Sequence, residues 1–307
     1  MKIGNSRKRV PAKGDSVVQN VVDEVSSENL RAFVQALSFP RHFFAEHRAN
    51  QHARDLLLKR VTSYGYAPSL QGDYDNIVAT STGPGDGPFV LLGAHYDSVP
   101  GTPGADDNAS AVAVCLECAR LIKRHEIGSV MIVIFNREED GLIGSREFVA
   151  HLTGQSVGRV SEAHIFEMVG YRSRAPGSQR MPRRLPVRLA RDVGDFLALL
   201  ANKGSNGIAE NLMSLAACYV PQVPVLALKT YFGVERFFGH LNRSDHAPFW
   251  QAGIPAIMWT DTSEFRNPHY HRASDTPDTL DYAFMSDVTK LALARTVSMA
   301  RRDGSAS

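Results

Sequence analysis

The sequence predicts an α/β three-layer sandwich around a mixed, largely parallel central sheet, and three observations carry that prediction. Short, almost wholly apolar runs recur at Phe89–His95, Val130–Phe135, Ala163–Met168 and Ile254–Trp259, as strands covered on both faces should read. Stretches with apolar residues every three or four positions alternate with them, and such alternation is the signature of a parallel sheet with crossover helices. No composition break, internal repeat or low-complexity linker divides the 307 residues. Residues 16–307 are therefore expected to form one domain, since a single sheet often organises ~250–300 residues.

The opening residues, MKIGNSRKRVPAKGDS, are basic and polar, so residues 1–15 are expected to form a mobile tail. They lack the ~7–15-residue apolar segment of a secretory signal. Ser27, Glu28 and the periodic Leu30, Phe33, Val34 and Leu37 predict a capped amphipathic helix that stops before Pro40. A second helix is expected from about Asn50 to Tyr64, ending at Gly65. Strands follow at Asp75–Thr80 and Phe89–His95, then a Gly/Pro/Asp loop over Tyr96–Asn108 and a helix from Ala109 to about His125. Val130–Phe135 and Ala163–Met168 are the next strands, followed by an Arg/Pro-rich loop over Gly170–Pro186. A helix is expected from near Ala190, strands near Val223–Leu228 and over Ile254–Trp259, and a final helix over Ala283–Ala300.

Hydrophobic residues make up 43% of the chain and charged residues 21%, which excludes a mainly disordered or fibrous chain. Lys+Arg total 34 against 32 Asp+Glu, so bulk charge gives no reason to expect a nucleic-acid or membrane partner. No window reaches the ~18–20 apolar residues of a membrane span, and the cytoplasm is the expected location. Cys115, Cys118 and Cys218 are too few for a disulfide framework. The first two, spaced i, i+3 in an apolar helical run, read as packing residues.

Function is written in where the acids and imidazoles fall. His95 closes one apolar strand, Glu138 and Glu139 follow the next, and Glu167 closes the third. Asp106-Asp107-Asn108 lies in the loop after His95, and His271 in the loop after Ile254–Trp259. Open α/β sheets place their binding crevice at these strand ends. Carboxylates converging there would repel one another without a cation, and a zinc pair resolves the conflict because zinc accepts both imidazole nitrogen and carboxylate oxygen. Any one of these residues reads as well as a loop or cap residue; the set does not.

Six motifs then carry a resemblance: Gly93–Ser98, Pro103–Ser110, Phe135–Gly144, Glu167–Tyr171, Ser244-Asp245-His246, and Tyr270-His271 with Asp275-Thr276-Pro277. In order and spacing they resemble metallopeptidase family twenty-eight, the two-zinc aminopeptidases related to glutamate carboxypeptidase and glutaminyl cyclase. The resemblance implies a phosphorylase/hydrolase-like zinc-exopeptidase fold and two zinc ions per chain. It implies that His95 and Glu167 hold one ion, that Glu139 and His271 hold the other, and that Asp107 bridges them. Asp97 would orient His95, and Glu138 would act as general base. Many members have Asp where this sequence has Glu167, and the extra methylene bears on the denticity and affinity of that position.

The mechanism so implied is hydrolysis by a water whose pKa is lowered between the zincs, with Glu138 taking its proton and passing it to the leaving amine. Tyr270 looks like the donor to the developing oxyanion. Contiguous Ser244-Asp245-His246 cannot form a nucleophile relay and reads as a turn under the pocket floor; His246 and His269 read as polar loop residues.

The leading expectation is an aminopeptidase acting on peptides. Glutaminyl cyclase or carboxypeptidase activity on the same scaffold is the alternative, and a non-catalytic binding module is a third reading that the filled ligand positions disfavour. The cyclases typically carry Trp where this chain has Tyr270. Finally, Arg172, Arg174, Arg180, Arg183, Arg184, Arg188 and Arg191 crowd the loop after Glu167. They read either as a solvated face or as a binding site for a peptide carboxylate.

Overall fold

The computed structural model describes residues 1–81, 88–154, 160–183 and 185–304. Its frame is one nine-stranded sheet: β1 (Lys2–Asn5), β2 (Ser69–Gln71), β3 (Asn76–Thr80), β4 (Phe89–His95), β5 (Val130–Phe135), β6 (Val160–Glu167), β7 (Leu197–Ala201), β8 (Val225–Lys229) and β9 (Ala256–Thr260). The order is β1-β8-β7-β9-β6-β4-β5-β3-β2. The central strands β5, β4, β6 and β9 run parallel, as do β7 and β8, while antiparallel pairs add the outer strands and join β7 to β9. The sheet is mixed with a parallel centre, as the sequence predicts.

Both faces of the centre are covered. Along β5, Ile132 and Ile134 enter the larger core, while Met131, Val133 and Phe135 enter the smaller one. The larger core is closed by α1 (Ser16–Asp23), α2 (Ser27–Leu37), α3 (His47–Ser63), α4 (Ala111–Arg124), α6 (Asn206–Tyr219) and α8 (Tyr282–Gly304). The smaller core packs under α5 (Ile143–Gly154) and α7 (His246–Gln251), through Phe148, Val149, Phe249 and Trp250. This is the three-layer arrangement. Cys115 and Cys118 are buried in α4 as packing residues.

Three expectations need correction. Residues 1–15 are not a free tail, because Lys2–Asn5 pairs antiparallel with β8 and Ser6 Oγ accepts the Val225 N–H at 2.9 Å. Four residues with only Gly4 buried are too short for a periodic signal, and the pairing partner lies more than 200 residues away. The helix placed near Ala190 is also absent. Phe196 and Ala198 face one side of the sheet while Leu197, Leu199 and Ala201 face the other, so this run is β7 and the helix begins only at Asn206. An apolar run buried on both faces has no period to distinguish strand from helix. At α2 the cap is Ser26, whose hydroxyl accepts the Asn29 N–H, and Ser27 is the first helical residue.

One buried polar network pins β6 to α8. Arg295 Nε and Nη2 donate to the two Glu162 oxygens at 2.7 and 2.5 Å, and His164 Nε2 lies 2.9 Å from Glu162 Oε1. Trp259 Nε1 donates to His164 Nδ1 at 3.1 Å, which places the imidazole proton on Nε2. Burial would raise the Glu162 carboxyl, but the bonds from His164 and Arg295 pull it from 4.5 to about 2. Removing one partner of a buried pair leaves the other uncompensated, so Glu162→Gln should cost about 3–5 kcal/mol at neutral pH. Urea unfolding measures it. Because the folded pKa is depressed, the wild-type contribution is full above 4.5 and is lost as pH falls through about 2.

Candidate active site

The acids and imidazoles meet in one crevice at the C-terminal edge of the parallel strands. His95 is the last residue of β4 and Glu167 the last of β6, while Glu138 and Glu139 lie just beyond β5. Asp107 sits in a distorted turn over Ala105–Ser110, where Asp107 and Asn108 leave helical geometry. His271 comes from the loop between β9 and α8 and has a left-handed backbone (φ 56°), as does Met168 after Glu167 (φ 48°). Such conformations are costly for non-glycine residues and cluster at functional sites.

The donor atoms fall into two adjoining sets, His95 with Glu138 and Glu167, and Asp107 with Glu139 and His271. Asp107 reaches both imidazoles. Its Oδ1 lies 3.5 Å from His95 Nε2 and its Oδ2 lies 3.1 Å from His271 Nε2. Around His95 Nε2, Glu167 Oε2 stands at 3.5 Å and Glu138 Oε2 at 3.9 Å; Glu139 Oε2 is 3.7 Å from His271 Nε2. Donors held ~2 Å from a tetrahedral zinc are separated by about 3.3 Å, so these spacings suit ligands around a shared cation better than hydrogen bonds. His95 Nε2 and Glu139 Oε1 are buried and have no hydrogen-bond partner among the described residues.

Electrostatics say the same. Burial, and then the charges of Glu167 and Glu139, push the Glu138 carboxyl well above the usual range despite His95 opposing them. Burial followed by Asp107 does so for Glu139. Burial would lower His95, but Glu138 and Glu167 raise it well above its ordinary value. In the chain alone these groups compete for protons. Divalent cations would supply the missing charge, so the donor set fits them.

Asp97 organises the site from behind. Its Oδ1 is 3.4 Å from His95 Nδ1, and its two oxygens accept the N–H groups of Glu138 and Glu139 at 3.2 and 3.1 Å. One carboxylate therefore touches both the imidazole and the backbone of the acid pair, while the Asp97 carbonyl oxygen lies 3.3 Å from His95 Nδ1. Burial would raise Asp97, but His95 and the two N–H bonds hold it below its ordinary range. Asp106 plays no such part: its oxygens accept from Gly170 N at 2.9 Å and Asn267 Nδ2 at 2.6 Å.

Sequence reading missed several supports. Ser244 Oγ donates to Glu167 Oε2 at 2.6 Å, which gives the Ser244-Asp245-His246 turn a direct link to the site. Burial pushes the neighbouring Asp245 carboxyl up to about 7. His246, expected in a polar loop, is instead buried at the start of α7; it is committed to the Leu241 carbonyl at 2.9 Å, and burial lowers it to about 4. Its neighbours in space gave no sequence signal. His269 stays a loop residue, 3.0 Å from Ser274 Oγ.

Tyr270 stacks on His271 with ring centres 3.7 Å apart, and its phenol oxygen accepts from Arg243 Nη2 at 2.8 Å. Burial and then Asp107 raise the phenol pKa, so it keeps the proton it would donate. A cavity of about 510 Å³ opens beside Glu138, Glu139, Tyr270 and His271 and continues over the apolar side chains of Phe196, Leu200 and Leu228. Of the arginine-rich loop, Arg172 pairs with Asp281, Arg191 pairs with Asp195, and Arg180 donates to the Glu264 carbonyl while lining the cavity. Arg184 lies outside the described residues. Three of the loop's arginines are thus held by partners elsewhere on the chain.

Residues 76–296 match the sequence profile of Peptidase family M28. The chain belongs to peptidase family M28. Within the family's reach, it is 38% identical over 240 residues to YfbL of Escherichia coli, described as uncharacterised, covering 75% of this chain and 72% of that one. It is 27% identical to a probable zinc metalloprotease of Pyrenophora teres, across 95% of this chain and 70% of the relative. The fold is similar to that of the LapA aminopeptidase of Legionella pneumophila, with a TM-score of 0.75 at 23% identity over 95% of this chain and 75% of that one. M28 membership makes the chain a peptidase, with peptides as its class of substrate. Among the described residues no helix is long and apolar enough to cross a membrane.

Proposed function

We propose that this M28 chain is a zinc-dependent aminopeptidase that binds two ions and removes the N-terminal residue of peptides, residues 16–307 acting as one catalytic unit together with the strand Lys2–Asn5 that joins their sheet. The observation that carries the two-ion reading is Asp107, whose two oxygens address the two imidazoles separately. His95 and Glu167 would hold one ion, Glu139 and His271 the other, with Asp107 between them. The zinc metalloprotease name of the Pyrenophora relative agrees with the choice of metal.

Zinc bound there would polarise the scissile carbonyl and lower the pKa of a coordinated water toward ~7. Glu138 takes the proton of the attacking water and returns it to the leaving amine. Asp97 keeps His95 in one orientation and holds the Glu138–Glu139 backbone against it. Tyr270 donates to the carbonyl oxygen as negative charge develops. The aminopeptidase direction rests on the state of the cation beside Tyr270. Arg243 is already paired with Glu264 and Tyr270 and does not offer a free cation for a C-terminal carboxylate.

A panel of aminoacyl amides and N-acetylated counterparts, assayed with and without a chelator, tests the reading. Free-amine substrates should be cleaved and chelator should abolish cleavage. Preference for the acetylated series, or indifference to chelator, would reject it. Tyr270→Phe should reduce kcat by ~100–1,000-fold with little change in KM, because the lost bond forms only in the transition state. Steady-state kinetics on one substrate separates the two constants; a raised KM at unchanged kcat would make Tyr270 a binding residue.

A further inference from the structure

Asp107 lies at the end of a short segment, Pro103–Asp107, that is gripped from two sides by side chains outside the donor set. Arg41, in the connection between α2 and α3, is fully buried. Its guanidinium donates to backbone carbonyls: Leu37 at the end of α2, Phe39 of its own connection, Tyr96 between His95 and Asp97, and Pro103 and Gly104 at 2.6 and 2.9 Å. Gly104 has φ +58°, and a Cβ there would lie 2.2 Å from the Asp107 carbonyl oxygen, so the turn closes too tightly for a side chain.

The opposite side of the segment is held by Asp275, in the loop that also carries His271. Asp275 Oδ1 accepts the Asp106 N–H at 2.9 Å, Oδ2 accepts the Asp107 N–H at 3.1 Å, and its carbonyl accepts the Ala105 N–H at 3.3 Å. A cation thus holds the segment's carbonyls and an anion its amides. Among the described residues the Asp107 carboxylate spends no hydrogen bond on its own positioning; its oxygens face the two imidazoles, with Glu139 beside them.

We propose that Arg41 and Asp275 are positioning residues that aim Asp107 at both halves of the centre before any ion arrives. The proposal rests on the two-ion reading given above. A charged side chain is costly to bury, and among the described residues Arg41 has no direct carboxylate partner, so packing alone is a poor account of it. Fixing a ligand-bearing segment in advance removes an ordering cost from ion binding, and partners behind the ligands commonly govern metal affinity.

Asp275→Asn keeps one acceptor but turns an amide group toward the second N–H. Arg41→Lys keeps the charge but cannot reach five carbonyls at once. Zinc stoichiometry and affinity of the full chain, by chelator competition, are compared with wild type, and circular dichroism reports the fold. Both variants should fold and bind both ions ~10–100-fold more weakly. A purely structural role would lower the melting temperature of the metal-free protein and leave affinity unchanged, which overturns the proposal. Loss confined to one ion overturns it too, as does failure of both variants to fold even with zinc. Wild-type protein that binds fewer than two ions rejects the two-ion reading itself, whatever the variants do.

Discussion

Glu138→Gln is expected to retain both zinc ions while turnover falls by ~100–10,000-fold, the usual loss when a general base is removed. Glu138 stands 3.9 Å from His95 Nε2, farther out than Asp107 and Glu167 at 3.5 Å. Its carboxylate also lies within reach of an ion shared by His95 and Glu167. Gln keeps the shape and one acceptor oxygen but cannot accept a proton. Elemental analysis alongside kinetics separates the roles: unchanged zinc with lost turnover identifies the base, whereas loss of one ion makes Glu138 a ligand.

Asp107→Ala is expected to empty both halves of the centre and to remove more activity than the ~100–10,000-fold of the base variant. The reason is that its two oxygens address His95 and His271 separately, so no remaining residue replaces it in either half. His95→Ala should weaken chiefly the ion shared with Glu167. Metal stoichiometry of the two purified variants decides the matter; two tightly held zincs in Asp107→Ala would refute the shared-carboxylate assignment. A fall in zinc without a fall in activity would instead detach hydrolysis from the metal.

Much of the site was legible because the proposed ligands sit where strands end. The apolar runs Phe89–Ala94 and Val130–Phe135 mark β4 and β5, and the polar residues that interrupt them, His95 and Glu138-Glu139, fall at the sheet edge by necessity. Asp107 and His271 were legible for a different reason, their place in an ordered series of motifs that resembles one family. Neither spacing nor periodicity alone would have brought them together.

The supports were not legible. Asp275 and Asp106 are 169 positions apart, Ser244 and Glu167 77, and Arg41 and Gly104 63, and nothing local in the chain records such pairings. The same holds for Lys2–Asn5, whose strand character exists only because β8 offers it an edge.

By itself, then, the sequence determined the layer architecture and the central parallel strands, because hydrophobic period and residue type are local properties, while the type of chemistry and the candidate ligands came from an ordered series of motifs that resembles one family. Tertiary structure alone decided that Phe196–Ala201 is covered on both faces and becomes a strand, that Asp106 turns to Gly170 and Asn267, and that Arg41 is buried among carbonyls. Those outcomes depend on which distant groups share a volume, and burial sets the energy of a charge or an unpaired polar atom only after the chain has closed around it.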